Sequence, residues 1–146
     1  MKKAALCAAA AAAFAVAMPL AAQDVSYTPG TYWEISMIDV EDGKEEEYMD
    51  YLAAQYKRSQ DFAKSKGYIK DYRILANNNR RAGEPDLYLV TIFDRMTTPA
   101  EDQAREKEMN AYMAQTSRQA DSNSGSRAKY RKLGGNMLLQ EMVYRK

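Results

Sequence analysis

The stretch Leu87-Tyr88-Leu89-Val90-Thr91-Ile92-Phe93-Asp94 constrains the fold of this chain more than any other. Almost every position is aromatic, β-branched or aliphatic, which favours a strand. A strand with one wet face alternates apolar and polar residues. This one does not, so it reads as a central strand covered on both sides. The fold must therefore provide two covering layers.

The N-terminus decides what else is available to hold such a fold together. Met1-Lys2-Lys3 is basic, Ala4 to Leu20 carries no charge, and Pro19-Leu20-Ala21-Ala22 ends in small residues before Gln23-Asp24 turns polar. That is the layout of a secretory signal peptide of bacterial type, cut after Ala22. A cut after Ala17 is the second choice. The alternative of a membrane anchor has the minimum length for a span, but its alanines are weakly apolar and no charge cluster follows. Cys7 precedes the apolar run and cannot become a lipidated first residue. Cleavage leaves an exported protein, periplasmic or secreted, with no stable membrane span. Cys7 is the sole cysteine and the chain has no histidine, so residues 23–146 hold neither. They suffice for one domain with a real core.

Loss of Lys2 and Lys3 turns a formal net charge of +1 into an equally small negative one. Bulk electrostatics then argue against nucleic-acid binding. The charge is uneven: 34–50 holds eight acids and one lysine, and 118–146 holds seven bases and two acids. Two solvated segments explain this, and so does pairing between subunits.

Gln23 to Gly30 reads as a polar leader. Thr31 to Val40 alternates, with Trp33, Ile35 and Met37 on one face and Tyr32, Glu34, Ser36 and Ile38 on the other, so it reads as a strand. Asp42 offers a cap, and Glu45-Glu46-Glu47 suits the first turn of a helix running to about Lys66. Its apolar stripe is Tyr48, Leu52, Tyr56 with Gln55, Ser59 and Phe62–Ala63, and Gly67 ends it. Tyr68 to Ala76 is a second strand, and 77–86 a polar loop. Thr98-Pro99-Ala100-Glu101 starts a second helix with a capping box. Its expected course is to about Ala120, burying Ala104, Met109, Tyr112, Met113 and Thr116. Residues 122–126 break it, Arg127 to Leu133 adds a basic turn, and Met137 to Arg145 is the last strand.

The order β-α-β-β-α-β is the ferredoxin-like plan: α+β, a four-stranded antiparallel sheet with two helices on one face. The last two strands are apolar on both sides, so the second sheet face is expected to meet a second copy of the chain. Over 31–146, with a first strand leading through Val40-Glu41-Asp42-Gly43-Lys44 into an acidic helix, the chain resembles the dimeric α/β-barrel superfamily, in an uncharacterised secreted branch. The resemblance implies a homodimer joined through the sheet faces. Haem-binding branches use a histidine ligand, which is missing here. Stress-responsive branches carry a histidine on the first strand at a position that falls near Glu34. Cofactor-free monooxygenases of this fold bind a substrate that itself activates oxygen; no motif here identifies their catalytic residues. Fold leaves function open.

Without His or Cys, Ser-His-Asp and Cys-His catalysis, Cys/His zinc sites and disulfides are excluded from 23–146. Glu45-Glu46-Glu47 with Asp50 lacks the glycine and spacing of a calcium loop. No metal and no cofactor is therefore assigned. Trp33 reads as core, and the helix tyrosines Tyr48, Tyr51, Tyr56 and Tyr112 read as core or dimer packing. The candidate ligand-binding residues are Tyr32, Glu34, Ser36, Arg73, Tyr88 and Gln140. Tyrosine joins apolar area to a polar tip and suits either packing or a cavity wall. Glu34 in a cavity would need Arg73 or Gln140 as partner and would become a base of raised pKa; on a wet edge it would need neither. Asn77 to Arg81 reads as a solvated loop or a cavity rim. The functional expectation is an exported protein binding a small apolar or aromatic molecule in a barrel cavity. A cofactor-independent monooxygenase-like enzyme and an envelope structural or interaction module are the alternatives.

Overall fold

The computed structural model describes residues 25–145. The expected signal peptide, with Gln23 and Asp24, lies outside the described residues. The structure is α+β, with four antiparallel strands and three helices. The strands are β1 (Tyr27–Val40), β2 (Asp71–Ala76), β3 (Leu87–Phe93) and β4 (Arg131–Tyr144), in the spatial order β2-β3-β1-β4. That arrangement is compatible with a ferredoxin-like fold. As expected, β3 is an inner strand, hydrogen-bonded to β1 and β2.

Helix α1 occupies 45–65. Its α-helical parts, Glu45–Tyr51 and Lys57–Ser65, flank a π-helical turn at Leu52–Tyr56. The stripe residues Tyr48, Leu52 and Tyr56 recur every four positions. In a 3.6-residue helix such a row drifts by about 40° per step. The wider winding of the π turn offsets this drift and keeps Leu52 and Tyr56 toward the sheet. Gly67 ends the helix as expected, with φ of +69°. Tyr68 N–H donates to the Ala63 carbonyl at 2.9 Å, and Gly67 N–H to that of Lys64 at 3.0 Å. The expected Asp42 cap does not form: Lys44 occupies the N-cap without a side-chain bond.

The register sorts the sheet into two faces. Tyr32, Glu34, Ser36 and Ile38 of β1 stand opposite Phe93, Thr91, Leu89 and Leu87 of β3. This face looks toward α1, and the core lies here. Ile38, Tyr48, Leu52 and Tyr130 are buried, with Val40, Ile74, Leu87 and Leu89 packed around them. Each buried side chain of this size contributes about 1.5–3 kcal/mol. This core cluster is built on the Ile38 side of β1. On the Trp33 side Val90 and Ile92 are buried as well, while Trp33 itself is only half-buried, short of the core role expected of it. Trp33, Ile35 and Met37 lie on the opposite face with Tyr88, Val90 and Ile92. The half-buried Trp33 donates its indole N–H to Thr31 Oγ1 at 3.1 Å.

The second helix departs from expectation. Helix α2 (Pro99–Met113) has the capping box of Thr98 and Glu101. It ends at Ala114, however, where φ is +54°. Thr116 is not buried; it caps a new helix, α3 (Ser117–Ser126), through a second box with Gln119. The expected breaker 122–126 is therefore helical. Thr116 in the extended conformation interrupts the chain, and its side chain bonds the Gln119 N–H at 3.2 Å. No residue of α2 is buried: Ala104 and Tyr112 are exposed, and Met109 and Met113 are half-buried. Its main neighbours are α1 and α3. The Phe62 and Tyr112 rings stack 4.2 Å apart, and Arg58 donates to the Tyr112 carbonyl at 3.0 Å.

Three boundaries also move. β1 starts at Tyr27, so 27–30, expected in the leader, continues the strand, with Tyr27 opposite Tyr144. β2 starts at Asp71 rather than Tyr68. β4 starts at Arg131, after a 3-10 turn at Arg127–Lys129, and absorbs Gly134 and Gly135 at an irregularity in its pairing with β1. Gly30 is needed for that pairing: a Cβ there would lie 2.8 Å from Val143 Cγ2. Among the described residues no helix is long and apolar enough to cross a membrane.

Candidate functional site

The spacing of α1 does more than build the core. Tyr51, Gln55 and Ser59 run along the flank beside the buried stripe, and they form one wall of a cleft of about 460 Å³. Met109 and Met113 of α2 form the second wall. Ala120, Asn123 and Ser126 of α3, with Arg127, Lys129 and Tyr130 after it, close the third. The cleft exists because the Ala114 turn folds α3 back beside α2. Its volume is within the range of small-molecule sites.

Aromatic packing joins the cleft to the core. Tyr48 and Tyr51 stack at 5.8 Å, and Tyr48 meets Tyr130 at the same separation. The Arg127 guanidinium lies 4.5 Å over the Tyr51 ring, a contact worth about 0.5–2 kcal/mol. Arg127 Nη1 donates to the Asn123 carbonyl at 3.0 Å. Its Nε is buried with no acceptor among the described residues, and an orphaned donor costs about 1–3 kcal/mol. Lys129 by contrast is paired, 2.9 Å from Glu47. Hydrogen bonds from Lys129 and Lys44 hold the Glu47 carboxyl below its usual range. The Lys129–Glu47 bridge ties the basic C-terminal segment to the acidic one within a single chain. Behind the cleft, at the start of β4, Arg131 is buried with 8% exposure. Its recorded side-chain partner is the Ser124 hydroxyl at 3.3 Å. Burial pushes the neighbouring Tyr48 phenol up to about 12.

The six residues picked from sequence lie elsewhere, divided between the two sheet faces. Tyr32, Glu34, Ser36 and Gln140 share the α1-side face, Tyr32 standing opposite Gln140. Tyr32 stacks on Phe93 at 5.7 Å, and Gln140 Nε2 donates to the Gly30 carbonyl at 3.4 Å. Glu34 is exposed between Thr91 and Leu138. Arg73 and Tyr88 are on the opposite face, opposite Val90 and Met37 respectively. Arg73 therefore does not pair with Glu34; it donates to Asp71 at 3.2 Å. None of the six lines the cleft.

No protein-family model matches the chain, and comparisons with curated proteins and with solved structures found no match. The site is accordingly read from its own chemistry. Among the described residues no group of three or more acidic, His or Cys side chains is placed to hold a metal ion. What the cleft offers is apolar and aromatic walls, amide and hydroxyl groups, and the Arg127 guanidinium, which has no acidic partner among the described residues.

The sequence hinted at these residues without joining them. Gln55 and Ser59 fall in the α1 stripe, and Arg127 in a basic turn. The missing signal was Thr116-Ser117-Arg118-Gln119, a second capping box that starts the third wall.

Proposed function

We propose that this chain is an exported small-molecule-binding protein that works as a homodimer and takes its ligand in the helical cleft. The observation that carries the binding reading is the cleft itself. About 460 Å³ suits a ring system with one or two substituents, and Tyr51, Tyr130, Met109 and Met113 give it apolar contact area. The site belongs to the helical layer; the barrel interior expected from sequence is not needed for it. A panel of small aromatic compounds tests this by thermal denaturation. Saturable rises in Tm that are lost in Ala120→Trp, which fills the cleft from a helix with no buried residue, support it. Stabilisation that persists in that variant, or none across the panel, contradicts it.

The dimer reading is supported by the other sheet face. Trp33, Ile35, Leu75, Tyr88, Met137 and Leu139 form a half-buried to exposed apolar surface around the buried Val90 and Ile92. β4 is an edge strand whose Met137 and Leu139 are exposed on this face. A second copy laid sheet to sheet completes a dimeric α/β barrel and covers β3 on both sides. Export rests on the layout of residues 1–22. Intact-mass analysis of the protein from a periplasmic fraction should give a chain starting at Gln23; a chain starting at Met1 would contradict it.

A further inference from the structure

We infer that the ligand of the cleft is an organic anion, a small apolar or aromatic body carrying a carboxylate that Arg127 receives. The inference rests on the cleft being the ligand site and adds the charge of what it takes. Arg127 uses one side of its guanidinium inside the chain, Nη1 to the Asn123 carbonyl at 3.0 Å. The face of the group is spread over Tyr51. Nε meets no acceptor among the described residues but is closed off from solvent. A ligand in the cleft therefore meets the guanidinium at Nη2, which has no acceptor among the described residues and can donate a charge-assisted bond to a carboxylate.

The surroundings carry the same sign. Among the described residues no Asp or Glu lines the cleft. Glu47, the carboxylate beside Lys129, is held at 2.9 Å by that lysine and at 3.0 Å by Lys44. An anion in the cleft meets the Arg127 guanidinium partly shielded from water, where attraction is stronger than at an open surface. A ligand ammonium meets repulsion from the same group. The methionine and tyrosine walls favour an anion with an apolar body over inorganic phosphate.

Calorimetric titration with 2-naphthoate, 2-naphthylmethanol and 2-naphthylmethylamine separates the contributions. The wild-type protein should bind naphthoate about tenfold or more tighter than the alcohol, and the amine weakest. Arg127→Met should remove the preference for naphthoate over the alcohol. Should that variant not fold, the wild type still decides: added salt should weaken naphthoate and leave the alcohol unchanged. Equal binding of alcohol and naphthoate, or a naphthoate preference that survives Arg127→Met or ignores salt, overturns the anion assignment and leaves the cleft as a neutral-ligand site. Binding of none of the three overturns the cleft reading together with it.

Discussion

Tyr48 shows how one residue serves both core and site. It is 1% exposed, stacks on Tyr51 at the cleft wall, and touches Tyr130 at the start of β4. Burial raises its phenol from 10.0 to about 12, and does the same for Tyr56, despite a hydrogen bond with Thr91 that pulls the other way. The neutral phenol is favoured in the folded chain and the phenolate in the unfolded one. Stability from these two groups is therefore complete below about pH 10 and lost as pH rises toward about 12. An alkaline titration followed at the tyrosinate absorbance band should show Tyr48 and Tyr56 ionising last of the eleven tyrosines, together with loss of far-ultraviolet signal. They follow Tyr68 and Tyr72, whose hydrogen bonds to Glu108 and Asp61 raise those phenols too. Ionisation of all eleven near pH 10, with the fold intact, would contradict the burial of Tyr48 and Tyr56. At this scale the sequence was partly legible. The four-residue spacing of Tyr48, Leu52 and Tyr56 pointed them at the core, because helical geometry is local. The faces of Arg73 and Glu34 were not legible, because which side of β2 meets which side of β1 depends on the register of both against β3.

The element that most shapes the site is the break between α2 and α3. Ala114 holds a left-handed conformation, φ +54°, which costs a residue with a Cβ about 1–2 kcal/mol. Glycine carries no such strain, though it loses more chain entropy on folding. Ala114→Gly should therefore stabilise the protein by about 0.5–1 kcal/mol, seen as a higher urea midpoint at unchanged slope. A lower midpoint would place the strain elsewhere. The break also accounts for the second helix being shorter than its apolar spacing suggests. Thr98-x-x-Glu101 announces a helix by local hydrogen bonding, and that start was found. Thr116-x-x-Gln119 announces another by the same chemistry, but Met109, Tyr112, Met113 and Thr116 also fit one continuous apolar stripe. The competing pattern concealed the second cap. The stripe itself does not reach a core, since no residue of α2 is buried; apolar periodicity reports a face, not what covers it.

For the whole molecule, the unbalanced sheet is the dominant feature. One face carries α1 and most of the core. The other buries Val90 and Ile92 of β3, leaves Trp33, Ile35 and Tyr88 half-buried, and exposes Leu75 of β2 and Met137 and Leu139 of β4. The two-sided apolarity of Leu87–Phe93 made this legible from sequence, because a strand's two faces are read separately by alternation. Leu139 is half-exposed on β4, opposite Trp33, so a lysine there burdens a sheet-to-sheet interface and not the fold of one chain. Light scattering at micromolar concentration should give the wild type twice the mass of one chain and Leu139→Lys the mass of one, with similar circular dichroism. A monomeric wild type would contradict the dimer.

Hydrogen exchange with and without saturating 2-naphthoate tests the location of the site most directly. Protection confined to residues 51–59, 109–115 and 120–130, with β1 and β3 unchanged, is the predicted result. Protection centred on Tyr32 to Ser36 and Gln140, or no protection anywhere, would contradict a ligand site in the helical cleft.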